Sequence, residues 1–412
     1  MSLVYTQVSL CRWPAMKFSI GSLVLSAASS LVLALPINDT LVYDAIIIGG
    51  GPAGLSVASA LGRVRRNALL IDSGEYRNAP TRHMHDVLGF DGVTPAWYRY
   101  AAREQISHYD SVTLTNGTVT KIAGNDAENF IVTTNYADNT TKTLRARKIV
   151  LATGLKDNLP DTPGLWENWG KGIYWCPWCD GTEHADQPLG LLSSSFDDLP
   201  SLVREILTLN TDIIAFANGT DTAEARAETE AKNPKFQEFL DLHNVTIENR
   251  TIAGITRLKD GGDPAHDPSL PTAPEHDLFL VNFTTGEPVE RAAFFISFPD
   301  EQRSKIGEEA GVQLWGGRLA ADVSKGYVTN VPGIYAVGDA NSDNSTNVPH
   351  ALYTGKRTAV SLHVRLAKED QAKETGVNVT ALRRDLELEE RSIWDIANGQ
   401  PGEIMYAGEY DQ

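Results

Sequence analysis

The sequence predicts an α/β fold built from two strand–turn–helix–strand units, the second inserted into the first. Three observations predict it. An apolar run at residues 43–48 passes directly into Gly49-Gly50-Gly51-Pro52-Ala53-Gly54. A second apolar run begins at Leu189-Gly190-Leu191-Leu192. Late in the chain, a strand-like run at residues 333–337 closes on Gly338-Asp339.

The first unit reads as strand 43–48, glycine turn, helix to about 65, and strand 68–71 ending at Asp72. Period and breakers agree on this order. Glycines let a backbone approach a pyrophosphate closely, and the helix N-terminus offers free N–H groups and partial positive charge. Asp72 lies 18 residues after Gly54, where an acid can hold a ribose hydroxyl pair. Gly49, Gly51, Pro52, Ala53, Gly54 and Asp72 are therefore candidate dinucleotide-binding residues of a Rossmann-like unit. Residues 111–152 read as β-rich and end in Ala152-Thr153-Gly154, and Pro160, Pro163 and Gly164 mark a linker. The second unit starts near 189, with a helix at 199–209 and a strand at 212–217. Residues 292–297 read as the return to the first unit, 349–368 as a helix, and the acidic tail carries an amphipathic stretch at 382–396. The expected organisation is a leader at 1–34, a first part at 41–157, an insertion at 158–291, a return at 292–368 and a tail at 369–412.

Between the units stands Cys176-Pro177-Trp178-Cys179-Asp180-Gly181, and the only other cysteine is Cys11. Such a pair can cycle between dithiol and disulfide, and the motif lowers the pKa of its attacking thiol. Two other readings stand beside this one. Half a zinc site would need about four ligands, and no second Cys-x-x-Cys or His-x-x-x-His completes it. A structural staple around so short a loop would constrain the unfolded chain little. The redox reading is preferred on these grounds.

Met16-Lys17 opens a basic segment followed by an uncharged apolar stretch at 20–35, and Val32 and Ala34 fit the small-residue rule for cleavage after Ala34. An uncleaved anchor is the other reading of that stretch. Nine N-x-T sequons stand at Asn38, Asn116, Asn139, Asn218, Asn244, Asn249, Asn282, Asn344 and Asn378. Ordinary composition gives roughly three in a chain of this length. Leader and sequons together predict a signal-bearing glycoprotein of the secretory pathway, secreted or lumenal. That compartment is oxidising, yet no spare cysteines remain for structural bridges. The formal charge of −17 excludes nucleic acid and an anionic membrane surface as natural partners. No membrane association is expected once the leader is removed.

In combination these motifs resemble the low-molecular-weight thioredoxin reductases, two-domain FAD proteins with the Cys-x-x-Cys in the inserted domain. Gly49–Gly54, Ala152-Thr153-Gly154, the Cys-x-x-Cys-Asp-Gly and Gly338-Asp339 occur in that family's order across residues 42–368. Asp72-Ser73-Gly74-Glu75-Tyr76-Arg77-Asn78, His83-Met84-His85 and Gly170-Lys171-Gly172-Ile173-Tyr174 resemble a narrower subgroup. It holds the flavin-dependent dithiol oxidases of fungal gliotoxin-type pathways, which close a disulfide in a small secondary metabolite and pass the electrons to oxygen. Asp180 after Cys179 departs from the oxidases, which often carry histidine there, and matches the reductases. Reductases carry a second glycine turn for NADPH, followed by arginines for its 2′-phosphate. Here the matching stretch is Leu189-Gly190-Leu191-Leu192-Ser193-Ser194-Ser195-Phe196-Asp197-Asp198, and no arginine follows until Arg226. That turn lacks both its backbone nest and its cations.

The resemblance implies two three-layer Rossmann-like domains, an FAD cofactor and a homodimer. It extends the cofactor set to Asn78, His83, Val119, Ala152, Gly154, Gly338, Asp339 and Ala351. It implies that a small-molecule dithiol attacks Cys176, that Cys179 hands the electron pair to FAD, and that dioxygen accepts it as hydrogen peroxide. Asp180 is read as a proton shuttle or an exposed turn acid, and His350 as a base for substrate thiols or a helix cap. His83 and His85 stand in the flavin-side segment, and His184 is expected at the surface. Tyr174, Trp175 and Trp178 are read as an apolar wall for the substrate or as core. Two other functions remain open: a disulfide reductase acting on a thioredoxin-like protein partner, and a non-catalytic flavin-binding protein. Mass spectrometry of secreted material is expected to find a start at Leu35 and glycosidase-sensitive mass. An intact Met1 or Met16 without glycans would refute the compartment assignment.

Overall fold

The computed structural model describes residues 41–124, 129–271 and 274–377. The leader, Asn38, Asn378 and the helix expected at 382–396 lie outside the described residues. No described helix is long and apolar enough to cross a membrane.

The first unit is a nine-stranded sheet. Its parallel centre runs in the order Ile334–Ala336, Thr141–Leu151, Val42–Ile48, Ala68–Asp72, Val112–Asn116. Val42–Ile48 is apolar on both faces because both are covered, as parallel strands require. Ala45 and Ile47 pack on the helices Pro52–Arg63 and Val348–Thr375. Ile46 and Ile48 pack on the opposite layer, where Thr118–Ala123 and Phe130–Asn135 form an antiparallel ribbon on Thr141–Leu151. Helices, sheet and ribbon make three layers.

The second unit repeats that plan. Thr246–Glu248, Ile213–Phe216, Leu189–Ser193, Ala293–Ser297 and Ile173–Tyr174 form an all-parallel five-stranded sheet. One face buries Val203, Ile206 and Leu240 from the helices Leu199–Ile206 and Phe236–Leu242. The other packs Phe216 and Phe294 against Phe279 and Phe283 of a three-stranded antiparallel sheet. Both units are Rossmann-like.

One expected boundary moves. Residues 292–297 do not return to the first sheet. Ala293–Ser297 lies between Leu189–Ser193 and Ile173–Tyr174 in the second. The reason is packing: Phe294 is wholly buried opposite Gly190, where any Cβ would meet the phenyl ring at 2.4 Å. The crossing comes later, where Asp300–Gln302 pairs antiparallel with Leu155–Asp157. The last helix also outruns its expected end, continuing to Thr375 with Gly376 in the left-handed conformation at its cap.

Two glycines of the first turn do different work. Gly49 has φ +114°, and a Cβ there would stand 2.2 Å from the Ala152 carbonyl oxygen. A Cβ on Gly51 would meet nothing within 4 Å. Gly49→Ala is therefore expected to lower unfolding free energy by about 1–3 kcal/mol in a denaturant titration. Gly51→Ala is expected to change it by less than about 0.5 kcal/mol. Equal stabilities for the two variants would contradict this account of the turn.

Candidate active site

One cavity runs from the glycine turn to the cysteine pair. Gly49, Gly51, Pro52 and Ala53 line it, as do Asn78, His83, Val119, Ala152, Gly154, Gly338, Asp339 and Ala351. The N-termini of two helices face it: Gly51–Ala53 from the first, and Asn347, Val348 and Ala351 from the last. Helix N-termini present unpaired N–H groups and favour anions. Together with the open space beside Gly51, this donor set fits the diphosphate of a dinucleotide.

Three expected residues are placed otherwise. Gly54 packs away from the cavity, where a Cβ would stand 1.9 Å from the Gly49 carbonyl oxygen. Asp72 is buried and already engaged: it accepts from the Gly74 N–H at 3.0 Å and the Tyr76 hydroxyl at 2.5 Å, and pairs with Arg103. It braces the turn and is not among the lining residues. His350 sits in the first turn of the last helix, with its Nε2 2.6 Å from Asp343 Oδ2, outside the cavity lining.

The cysteine turn is short. Cys176 precedes the helix Pro177–Asp180, and its carbonyl accepts from the Cys179 and Asp180 N–H groups at 3.1 and 3.2 Å. The two cysteines form a disulfide. Cys179 and Asp180 line the cavity and Cys176 does not. Asp180 is 7% exposed, which removes the exposed-acid reading. Burial, then the charges of Glu183 and Glu275, push its carboxyl well above the usual carboxylate range. It is thus a buried acid biased towards its protonated form, one residue from the sulfur that lines the cavity.

The aromatic wall is only partly formed. Trp175 stacks on Trp169 with centroids 5.1 Å apart and lines the cavity. Tyr174 is core, and Trp178 is 83% exposed. His184 is corrected from surface to core. It is fully buried, its Nε2 3.1 Å from the Tyr174 hydroxyl. The turn after Cys179 folds back under the pair, which the local sequence does not reveal.

Two arginines organise the surroundings. Arg77 bridges Asp157 and Asp300, one from each crossing strand, and reaches Asp339 at 3.2 Å. Its guanidinium lies 5.5 Å from the Trp175 ring centre. Arg82 pairs with Glu275, Asp277 and Asp260 of the second unit. His184, Glu275 and Asp277 have metal-ligand chemistry within one cluster, but Arg82 and Arg257 already neutralise its acids.

The second turn is closed by its own side chains. Asp198 Oδ2 accepts from the Ser193 and Ser297 hydroxyls at 3.1 and 2.9 Å. Asp197 accepts from the Ser195 hydroxyl and pairs with Lys232. Arg226, the first arginine after the next strand, is held by Asp221. No glycine nest faces outward here.

A Cys-x-x-Cys disulfide set against one open dinucleotide cradle, beside a second Rossmann-like unit, is the arrangement of a disulfide oxidoreductase. The comparisons agree. The pyridine nucleotide-disulphide oxidoreductase family matches residues 43–197. A protein of Arthroderma benhamiae named "Probable thioredoxin reductase" is 48% identical over 336 residues, 79% of this chain and 81% of that one. Thioredoxin reductase sirT of Leptosphaeria maculans is 31% identical over 72% of this chain and 86% of its own. An oxidoreductase structure from Agrobacterium tumefaciens superposes with a TM-score of 0.65 at 27% identity, covering 79% of this chain and 99% of that one. The chain belongs to the pyridine nucleotide-disulphide oxidoreductase family, among its thioredoxin reductase-like members.

Sequence patterns do not single out Arg77, Arg82, Glu275 or Asn347. Arg77 lies inside the run Asp72–Asn78, where its spacing gives it no role of its own. Glu275 stands in a proline-bearing loop far from the cysteines, with no spacing that would flag it. The buried histidine gives a pH test. Burial lowers the His184 pKa from 6.5 to about 4. The unfolded chain then binds the proton first, so stability is intact above about 6.5 and falls as pH drops towards about 4. Glu275, held down from 4.5 to about 2, adds a separate loss at lower pH. His184→Gln is expected to flatten only the upper window in pH-dependent denaturation. An unchanged slope there would assign the effect to another group.

Proposed function

We propose that this protein is an FAD-dependent thiol oxidase that closes a disulfide in a small-molecule dithiol and passes the electrons to dioxygen. One observation carries the reading: Cys179 and the glycine turn line a single cavity, while the second nucleotide turn is closed by its own serines and acids. NADPH then has no cradle in the second unit, and a dithiol is the remaining electron donor. The resemblance of residues 72–78, 83–85 and 170–174 to the gliotoxin-type subgroup supports a secondary-metabolite substrate.

The chain's own groups divide the work. Cys176, partly exposed and outside the cavity lining, is the sulfur open to a substrate thiolate. Attack there breaks the Cys176–Cys179 bond, forms a substrate–Cys176 disulfide and leaves the electron pair on Cys179. The second substrate thiol displaces Cys176 and leaves as the product disulfide. Asp180 supplies and recovers a proton at the departing sulfur, which its burial beside Cys179 supports. The N-termini of the first and last helices would hold the anionic part of the cofactor, and Gly51 leaves room for its approach. A bound FAD would supply the two-electron redox chemistry that links the reduced cysteine pair to dioxygen, with hydrogen peroxide as the product.

A second reading, a disulfide reductase serving a protein partner, has one favouring observation. Trp178 projects into solvent between the cysteines, where a docking protein would meet it. The two readings separate on the donor.

Under anaerobic conditions a small dithiol is expected to bleach the flavin of the wild type. Cys179→Ser and Cys176→Ser should each keep the yellow colour and lose bleaching by about a thousandfold or more, the scale of removing a covalent catalyst. Undiminished bleaching in Cys176→Ser would show that the pair is not the relay.

A further inference from the structure

Glu275 gathers both ends of the cysteine turn from behind. It is 5% exposed and comes from the loop ahead of strand Leu278–Phe283. Its Oε2 accepts from the Tyr174 hydroxyl at 3.2 Å, and the tyrosine oxygen in turn meets His184 Nε2 at 3.1 Å. Tyr174 stands two residues before Cys176, and His184 five after Cys179. Its Oε1 lies 3.0 Å from His83 Nδ1, and His83 lines the cavity. Arg82 reaches the same carboxylate. The backbone joins in: the Glu275 N–H donates to the Glu183 carbonyl at 3.1 Å, and Gln187 Nε2 donates to the Glu275 carbonyl at 2.7 Å. One residue thus ties the strand entering the cysteines, the turn leaving them and the cavity wall they face.

We propose that Glu275 is a positioning residue for the Cys176–Cys179 pair, fixing the cysteine turn against the His83 wall through Tyr174, His184 and the 183–187 turn. The proposal rests on reading that pair as the redox centre. Burial alone would raise the Glu275 carboxyl, but the His83 contact and the Arg82 charge overcome it and hold the carboxyl at about 2. Glu275 is therefore an anion at working pH. Buried ions of this kind fix one arrangement, because every alternative leaves a charge unpaired. Its charge is also one of those that raise the Asp180 carboxyl, along with Glu183 and against Arg82. Tyr174, Asp277, His83 and His184 complete the titratable groups around it.

The test follows the disulfide itself. The secreted protein is mixed anaerobically with dithiothreitol, quenched with an alkylating agent, and Cys176 and Cys179 labelling is followed by mass spectrometry. The reaction is balanced: the two dithiothreitol thiols become its cyclic disulfide as the protein disulfide becomes two thiols. Glu275→Gln is expected to slow reduction by about tenfold, the size of one lost charge-assisted hydrogen bond. Its pH profile should move to lower pH, because Asp180 loses a neighbouring negative charge. Tyr174→Phe keeps the ring and removes only the hydroxyl that links Glu275 to the entering strand and to His184. It should slow reduction in the same direction, at unchanged thermal stability relative to its own refolded control. A wild-type rate and profile in Tyr174→Phe, with Glu275→Gln either normal or misfolded, would overturn the proposal. The readout uses no oxygen, and a bound flavin would take up only one electron pair before labelled thiols accumulate, so it fails independently of the oxidase reading.

Discussion

The short helix bearing Cys179 and the long helix after the glycine turn end on the same space, and the remaining chemistry depends on that meeting. A disulfide alone is a staple, and a dinucleotide cradle alone is a binding site. Placed on one cavity, they form a route for an electron pair. Holding that geometry needs two units with separate cores to keep a fixed register. The chain does so with charges at the seam. Arg77 grips Asp157 and Asp300 on the two crossing strands, and Arg82 grips Asp260, Glu275 and Asp277. Most of these groups are largely shielded from water, so each would be costly to leave unpaired.

The same seam sets the proton chemistry. Two carboxyls in one polar cluster are driven in opposite directions. Glu275, paired with Arg82 and His83, is held down and ionised, and Asp180, buried near negative neighbours, is pushed towards its protonated form. Carboxyl groups pushed apart in this way divide into an anion that orients and an acid that donates. The second unit, by contrast, keeps its Rossmann-like shape while its nucleotide turn folds on itself through Ser193, Ser195 and Lys232. Shape and site are separable there, since function lies in the site and not in the fold.

Much of this was legible in the sequence because it is local. The βαβ opening, the glycine turn, the cysteine pair and the degenerate second turn each occupy fewer than about forty consecutive residues, the scale of one supersecondary unit. What was not legible is long-range. The run 292–297 reads as apolar strand in either sheet, and only the pairing of Phe294 with Gly190 decides. Asp72 has the right spacing for a ribose, yet Tyr76 and Arg103 claim its oxygens. His184 is polar in a polar stretch, and its burial depends on Tyr174 and Glu275 arriving from elsewhere. Glu275 itself has no motif, because its partners are spread across nearly two hundred residues.

The most direct measurement is oxygen uptake by the purified protein with a small dithiol and with NADPH as alternative sole donors. The account predicts uptake with the dithiol, matched by peroxide and by dithiol consumed, and none above background with NADPH. Sustained turnover on NADPH without a dithiol would contradict it, because the turn at residues 193–198, closed by its own serines and acids, would then have to open to bind the nucleotide.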